Sequence, residues 1–71
     1  SFQDFVNEYR VEAFVENLKN DQYAHFTLFG IAAEVGFSSK STFNATFKKI
    51  KGVTPTQFKN SIAEKKRIGA G

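Results

Sequence analysis

Gly36-Phe37-Ser38-Ser39-Lys40-Ser41-Thr42-Phe43-Asn44-Ala45-Thr46-Phe47-Lys48-Lys49 is the stretch whose reading decides the fold. Phe43, Phe47 and Ile50 recur at the spacing of one face of an α-helix. Lys40, Ser41, Asn44, Ala45 and Lys48 then fall on the opposite or flanking faces. Ser38 or Ser39 supplies an N-cap, Phe37 drops into the core at the corner, and Gly52 ends the helix. Just upstream, Thr27 caps a shorter helix with a buried stripe of Leu28, Ile31, Ala32 and Val35, and Phe26 and Ile31 occupy the positions of a hydrophobic staple. Gly36 stands just past that helix, where glycine alone adopts a left-handed backbone without steric cost. From Thr27 to Phe58 the chain therefore has the outline of a helix, a sharp turn and a second helix.

Downstream, Thr54-Pro55-Thr56-Gln57 combines a Thr cap, a proline at the first helical position and a glutamine at the third. This is a capping box with the proline where its missing amide costs nothing. The last helix is expected to bury Phe58 and Ile62 and to fray at Lys65-Lys66-Arg67. Upstream, Gln3 to about Lys19 reads as one amphipathic helix, with Phe2, Val6, Tyr9, Ala13 and Phe14, and Phe5 and Leu18 close by, as the stripe facing a partner. Asp4, Glu8, Glu12 and Glu16 recur every four residues on another face, and like charges at that spacing repel by a few tenths of a kcal/mol per pair. Asn20 to Phe26 lacks periodicity and reads as a loop. His25, the one histidine, has no carboxylate or cysteine at ligand spacing and is assigned no chemistry. The expected fold is all-α, a small helical domain with a helix-turn-helix and about four helices, roughly 3–19, 27–35, 39–51 and 54–66.

A chain of 71 residues forms one small domain, and nine Phe with two Tyr suit it, because rings bury much apolar area per ordered residue. The absence of cysteine removes a disulfide framework and a thiolate metal site, and leans toward an intracellular, cytoplasmic setting. The longest nearly uncharged stretch, Tyr23 to Ala33, is too short to span a bilayer and is broken by His25, Thr27 and Gly30. No basic-then-apolar leader opens the chain. It starts at Ser1 without an initiator Met and reads as a piece of a longer protein, with Gly69-Ala70-Gly71 as a flexible tail.

The net charge of +3 hides a division. Ser1 to Val35 holds two basic against six acidic residues, net −4; Gly36 to Gly71 holds eight basic residues against Glu64 alone, net +7. That is the electrostatic footprint of a polyanion binder, or equally a solvated cationic surface. An enzyme is the least expected class: no Ser/His/Asp or Cys/His set, metal-ligand cluster or phosphate-cradling glycine loop is present, and no cofactor is expected.

A helix-turn-helix presents the start of its second helix to the major groove. Lys40, Ser41, Asn44 and Ala45, with Thr42 nearby, have the chemistry to meet base edges there: Lys donates to guanine, Asn bonds adenine through two hydrogen bonds, and Ala touches a thymine methyl. Lys48, Lys49, Lys51 and Lys59 suit phosphates. The helix starts at Ser39 and Thr54 add backbone amides that attract anions. The competing reading is an ordinary helix whose Ser, Thr and Asn only cap and solvate it.

The run Ile31-Ala32-Ala33-Glu34-Val35-Gly36-Phe37, continuing to Phe47-Lys48-Lys49, then Gly52-Val53-Thr54-Pro55 and Gln57-Phe58, resembles the C-terminal half of the DNA-binding domain of AraC/XylS-type transcription regulators. Glu8-Tyr9-Arg10-Val11-Glu12 resembles the start of the long helix linking that family's two helix-turn-helix units. The resemblance implies a homeodomain-like, DNA-binding module of a bacterial transcription regulator, with double-stranded DNA as partner and a recognition helix at 39–51. It places Lys40, Ser41, Asn44 and Ala45 where the family reads bases, with Thr42 and Lys48 beside them. Residues 1–20 become the linker-type helix, 21–68 the second helix-turn-helix unit and 69–71 the tail. Neither a membrane nor a small-molecule ligand is expected for this stretch. Because one module covers little DNA surface, weak and strongly salt-dependent binding is expected. The alternative is a helical interaction or dimerisation module in which the first helix, through an exposed Phe2, Phe5 or Phe14, meets another chain.

Overall fold

The computed structural model describes the backbone of residues 1–70 and the side chains of residues 1–65. Four α-helices follow in order: α1, Phe2–Leu18; α2, Leu28–Glu34; α3, Lys40–Lys51; and α4, Pro55–Ala70. There is no strand among the described residues, so the fold is all-helical. Among the described residues no helix is long and apolar enough to cross a membrane. Two boundaries differ from those the sequence suggests. The stretch read as a loop holds a 3-10 turn, Asp21–Tyr23, because the Asn20 side chain accepts the Gln22 amide at 2.9 Å. The last helix continues past the expected end at residue 66 and takes in Gly69 and Ala70 of the expected tail, while Gly71 lies outside the described residues.

Local chemistry accounts for the starts and stops. Ser1 caps α1, accepting from the Asp4 amide at 3.2 Å, and Thr27 caps α2, accepting from the Gly30 amide at 2.9 Å. α2 ends in a Schellman arrangement: the Gly36 amide donates to the Ala33 carbonyl at 3.1 Å and the Phe37 amide to the Ala32 carbonyl at 3.0 Å. That arrangement needs a positive φ at Gly36, which is +114°. Of the two serines ahead of α3, Ser39 is the cap, accepting from the Thr42 amide at 3.1 Å. At the start of α4 the box is reciprocal. The Thr54 hydroxyl accepts from the Gln57 amide at 3.1 Å, the Gln57 side chain accepts from the Thr54 amide at 2.9 Å, and Pro55 is buried at the first helical position.

The core is Val11, Phe14 and Val15 from α1, Ile31 and Ala32 from α2, Phe37 at the corner, and Phe43 and Phe47 from α3. Its centre is aromatic. Phe43 meets Phe14 and Phe37 at centroid distances of 4.8 and 5.2 Å, and Phe47 meets Phe14 and Phe58 at 5.4 and 5.5 Å. The tilted and edge-on geometries are those that ring quadrupoles favour. α1 thus packs against α2 and α3, and α4 joins through Phe58.

The apolar stripe expected on the first helix is corrected. Its buried line is Val11, Phe14 and Val15, with Leu18 partly buried, whereas Phe2, Phe5 and Tyr9 are 80%, 66% and 71% exposed. At 100° per residue these three rings sit roughly a third to half a turn around the helix from Val11. α1 therefore carries two apolar faces, and α2 and α3 cover only the one built on Val11, Phe14 and Val15. Phe26, a staple residue by position, meets the Tyr23 ring in a tilted contact at 4.8 Å and stays 41% exposed, while Ile31 is buried.

Candidate nucleic-acid interface

The burial of Phe43 and Phe47 fixes the rotation of α3 and with it which of its side chains face water. Lys40, Ser41, Thr42, Asn44, Ala45, Lys48 and Lys49 are all exposed. In its first two turns α3 offers water a strip of short polar side chains and one small apolar one, bounded by cations. Lys40 and Asn44, one turn apart, line a groove of about 510 Å³ with Thr27, Phe29 and Thr56. The starts of α2 and α4 therefore flank the start of α3.

Several side chains are already occupied. The Ser39 hydroxyl caps α3 and donates to Thr42 Oγ1 at 3.3 Å, and the Thr54 hydroxyl belongs to its capping box. Phosphate contact at Ser39 or Thr54 would therefore fall to backbone amides of those first turns rather than to the hydroxyls. Lys51 Nζ donates to Glu12 Oε1 at 2.6 Å, and only 27% of the Lys51 side chain is accessible. Lys59 is exposed on α4 beside half-buried Phe58. No group of three or more His, Cys, Asp or Glu among the described residues could hold a metal ion.

A helix, a glycine turn and a second helix with its polar face outward, braced from behind by a long first helix, is the arrangement of one known class of DNA-binding domain. A family model described as a helix-turn-helix domain, of the AraC type, matches residues 1–61. The chain belongs to the AraC/XylS-type helix-turn-helix family. It is a helix-turn-helix DNA-binding module of transcription regulation. The AraC-type match covers α1 to the first half of α4, and so includes the whole core. No curated protein and no solved structure gives a significant match.

Three features of this AraC-type module lay outside the sequence reading. Glu12 ties α1 to the end of α3 across 39 positions. Arg10 lies over the turn, its Nε 2.8 Å from where a Cβ on Gly36 would stand. Thr27, Phe29 and Thr56 share the groove with Lys40 and Asn44. Only the last had a signal in the sequence, since two of these residues open helices next to the turn.

Proposed function

We propose that the module binds duplex DNA sequence-specifically, with α3 in the major groove, as the DNA-reading part of a bacterial, cytoplasmic transcription regulator. The observation that carries this reading is the exposed strip on the first two turns of α3, set opposite the buried Phe43 and Phe47. Lys40, Ser41, Asn44 and Ala45 read base edges, and Thr42 supports them from beside the cap. Lys48, Lys49 and Lys59 hold phosphates. The first-turn amides that follow Ser39 and Thr54 add fixed positive ends without spending their hydroxyls. Lys51 contributes once its bond to Glu12 opens.

Fluorescence anisotropy with labelled duplexes tests the division into readers and anchors. Asn44→Ala should change the ranking among sequences, with a cost of about 1–3 kcal/mol on the preferred one. Lys48→Ala should weaken binding to all sequences alike and reduce the salt slope by about one. If the two variants behave alike, or if affinity is unchanged between low and moderate salt, the reading is wrong.

Self-association through α1 is the second reading, favoured by the exposure of Phe2, Phe5 and Tyr9 on one face. Size-exclusion chromatography with light scattering decides it. A mass that rises with concentration in the native chain, but not in Phe5→Ser/Tyr9→Ser, supports dimerisation there, and a monomer throughout refutes it.

A further inference from the structure

The acidic ridge of α1 is exposed, yet part of it borders α3. Glu12 Oε1 accepts from Lys51 Nζ at 2.6 Å, and Asp4 and Glu8 share with Lys49 a groove of about 200 Å³ between α1 and α3. One ridge carboxylate, Glu12, is thus paired with Lys51, and two more, Asp4 and Glu8, share a groove with Lys49 without an ion pair to it, Asp4 lying 3.6 Å from the terminal ammonium of Ser1. Like charges four residues apart weaken an isolated helix, so the ridge does not serve α1 by itself. Its counterpart is across the groove.

Lysines bind DNA without regard to sequence, each phosphate contact releasing a condensed counterion. A lysine already neutralised by a carboxylate releases none until that pair opens. Lys51 is in that state, Lys49 shares a groove with two carboxylates but is in no ion pair, and Lys48 has neither an ion pair nor a place in that groove among the described residues. The reading strip of Ser41, Asn44 and Ala45 has no part in the groove.

We propose that Asp4, Glu8 and Glu12 form an internal acidic wall that engages Lys51 and screens Lys49, lowering sequence-independent DNA affinity while leaving the reading face of α3 unaltered. The inference rests on the DNA-binding reading above. It makes the first helix a determinant of specificity, because discrimination is the ratio of specific to non-specific affinity and rises when the second is suppressed. The wall does to stray phosphate contacts what an unfavourable charge does at a selective interface.

The test uses the full chain and a mixed-sequence duplex of about two helical turns, titrated by anisotropy from low to moderate salt. Asp4→Asn/Glu8→Gln/Glu12→Gln should bind roughly three- to tenfold tighter at low salt, with a salt slope steeper by about one to two. The equal-charge control Glu16→Gln/Asp21→Asn/Glu34→Gln should gain less than half of that change in slope. Adding Lys49→Gln/Lys51→Gln to the wall variant should abolish its gain. Circular dichroism verifies folding, and Glu12→Gln alone reports the Lys51 share, at roughly twofold, should the triple variant unfold. Equal gains in the wall variant and the control would show that net charge alone is responsible and overturn the inference, as would a folded wall variant no tighter than the native chain. A native chain that binds no duplex at low salt overturns the DNA-binding reading itself, so the two failures are distinct.

Discussion

Replacing Gly36 with alanine tests the turn that sets α3 against α2. The glycine has φ +114°, and an added Cβ would stand 2.8 Å from Arg10 Nε and 3.4 Å from its Cζ. Two costs follow. Holding an L-residue in that sparse backbone region costs about 1–3 kcal/mol. The obstructing group is a flexible arm, so it swings aside and loses the packing of part of its stem, roughly 0.5–1 kcal/mol. Together these are about 1.5–4 kcal/mol, against a total stability of about 4–10 kcal/mol for a domain this size. The thermal midpoint should fall by roughly 6–30 °C. Urea denaturation at unchanged m-value measures the loss directly. Arg10→Ala separates the two parts: on that background Gly36→Ala should retain only the backbone cost, leaving a coupling of about 0.5–1 kcal/mol. A Gly36→Ala loss below about 0.5 kcal/mol would refute the conformational argument. A coupling of zero would refute the placement of Arg10 over the turn.

Phe47 is fully buried among Phe14, Phe43 and Phe58. Phe47→Ala should cost about 3–5 kcal/mol and remove much of the cooperative unfolding transition, whereas Phe47→Leu should keep a sharp one. Thr54→Ala breaks one arm of the capping box and should cost about 1 kcal/mol in urea denaturation, with Thr54→Ser restoring most of it. Because Phe5 and Tyr9 are exposed on the face away from the core, serine at either position should change stability by no more than about 0.5 kcal/mol. A larger loss would place those rings in the core after all.

What was legible in the sequence is what is decided within a turn or two of chain. A serine cap at Ser38 or Ser39, the stops at Gly36 and Gly52, and the box of Thr54 and Gln57 all close over three or four residues, so spacing alone points to them, and the structure settles the cap on Ser39. The inward line of Phe43 and Phe47 was equally plain, because polar residues leave α3 only one apolar face. α1 gave no such choice. Its rings at Phe2, Phe5 and Tyr9 carry more surface than Val11 and Val15, yet the line of Val11, Phe14 and Val15 is the one α2 and α3 cover. Which of two apolar faces is buried depends on the neighbours' shape, and the spacing within one helix contains no information about that.

The same division runs through the interface. That Lys40, Ser41, Asn44, Ala45 and Lys48 point away from the core follows from helix period, and the structure exposes all of them. That the Ser39 and Thr54 hydroxyls are spent on their own helices is also local, and it transfers any phosphate chemistry at those positions from side chain to backbone amide. Lys51 is different. In sequence it is one more cation at the end of a basic helix, indistinguishable from Lys48 or Lys49, and only the packing of α1 brings Glu12 to 2.6 Å from it. Counting lysines along α3 therefore overstates the charge available to a polyanion, since the first half of the chain places some of its negative charge against the second. The net of −4 before Gly36 and +7 from it onward therefore describes two surfaces that partly face each other, with Glu12 against Lys51 as the direct contact between them.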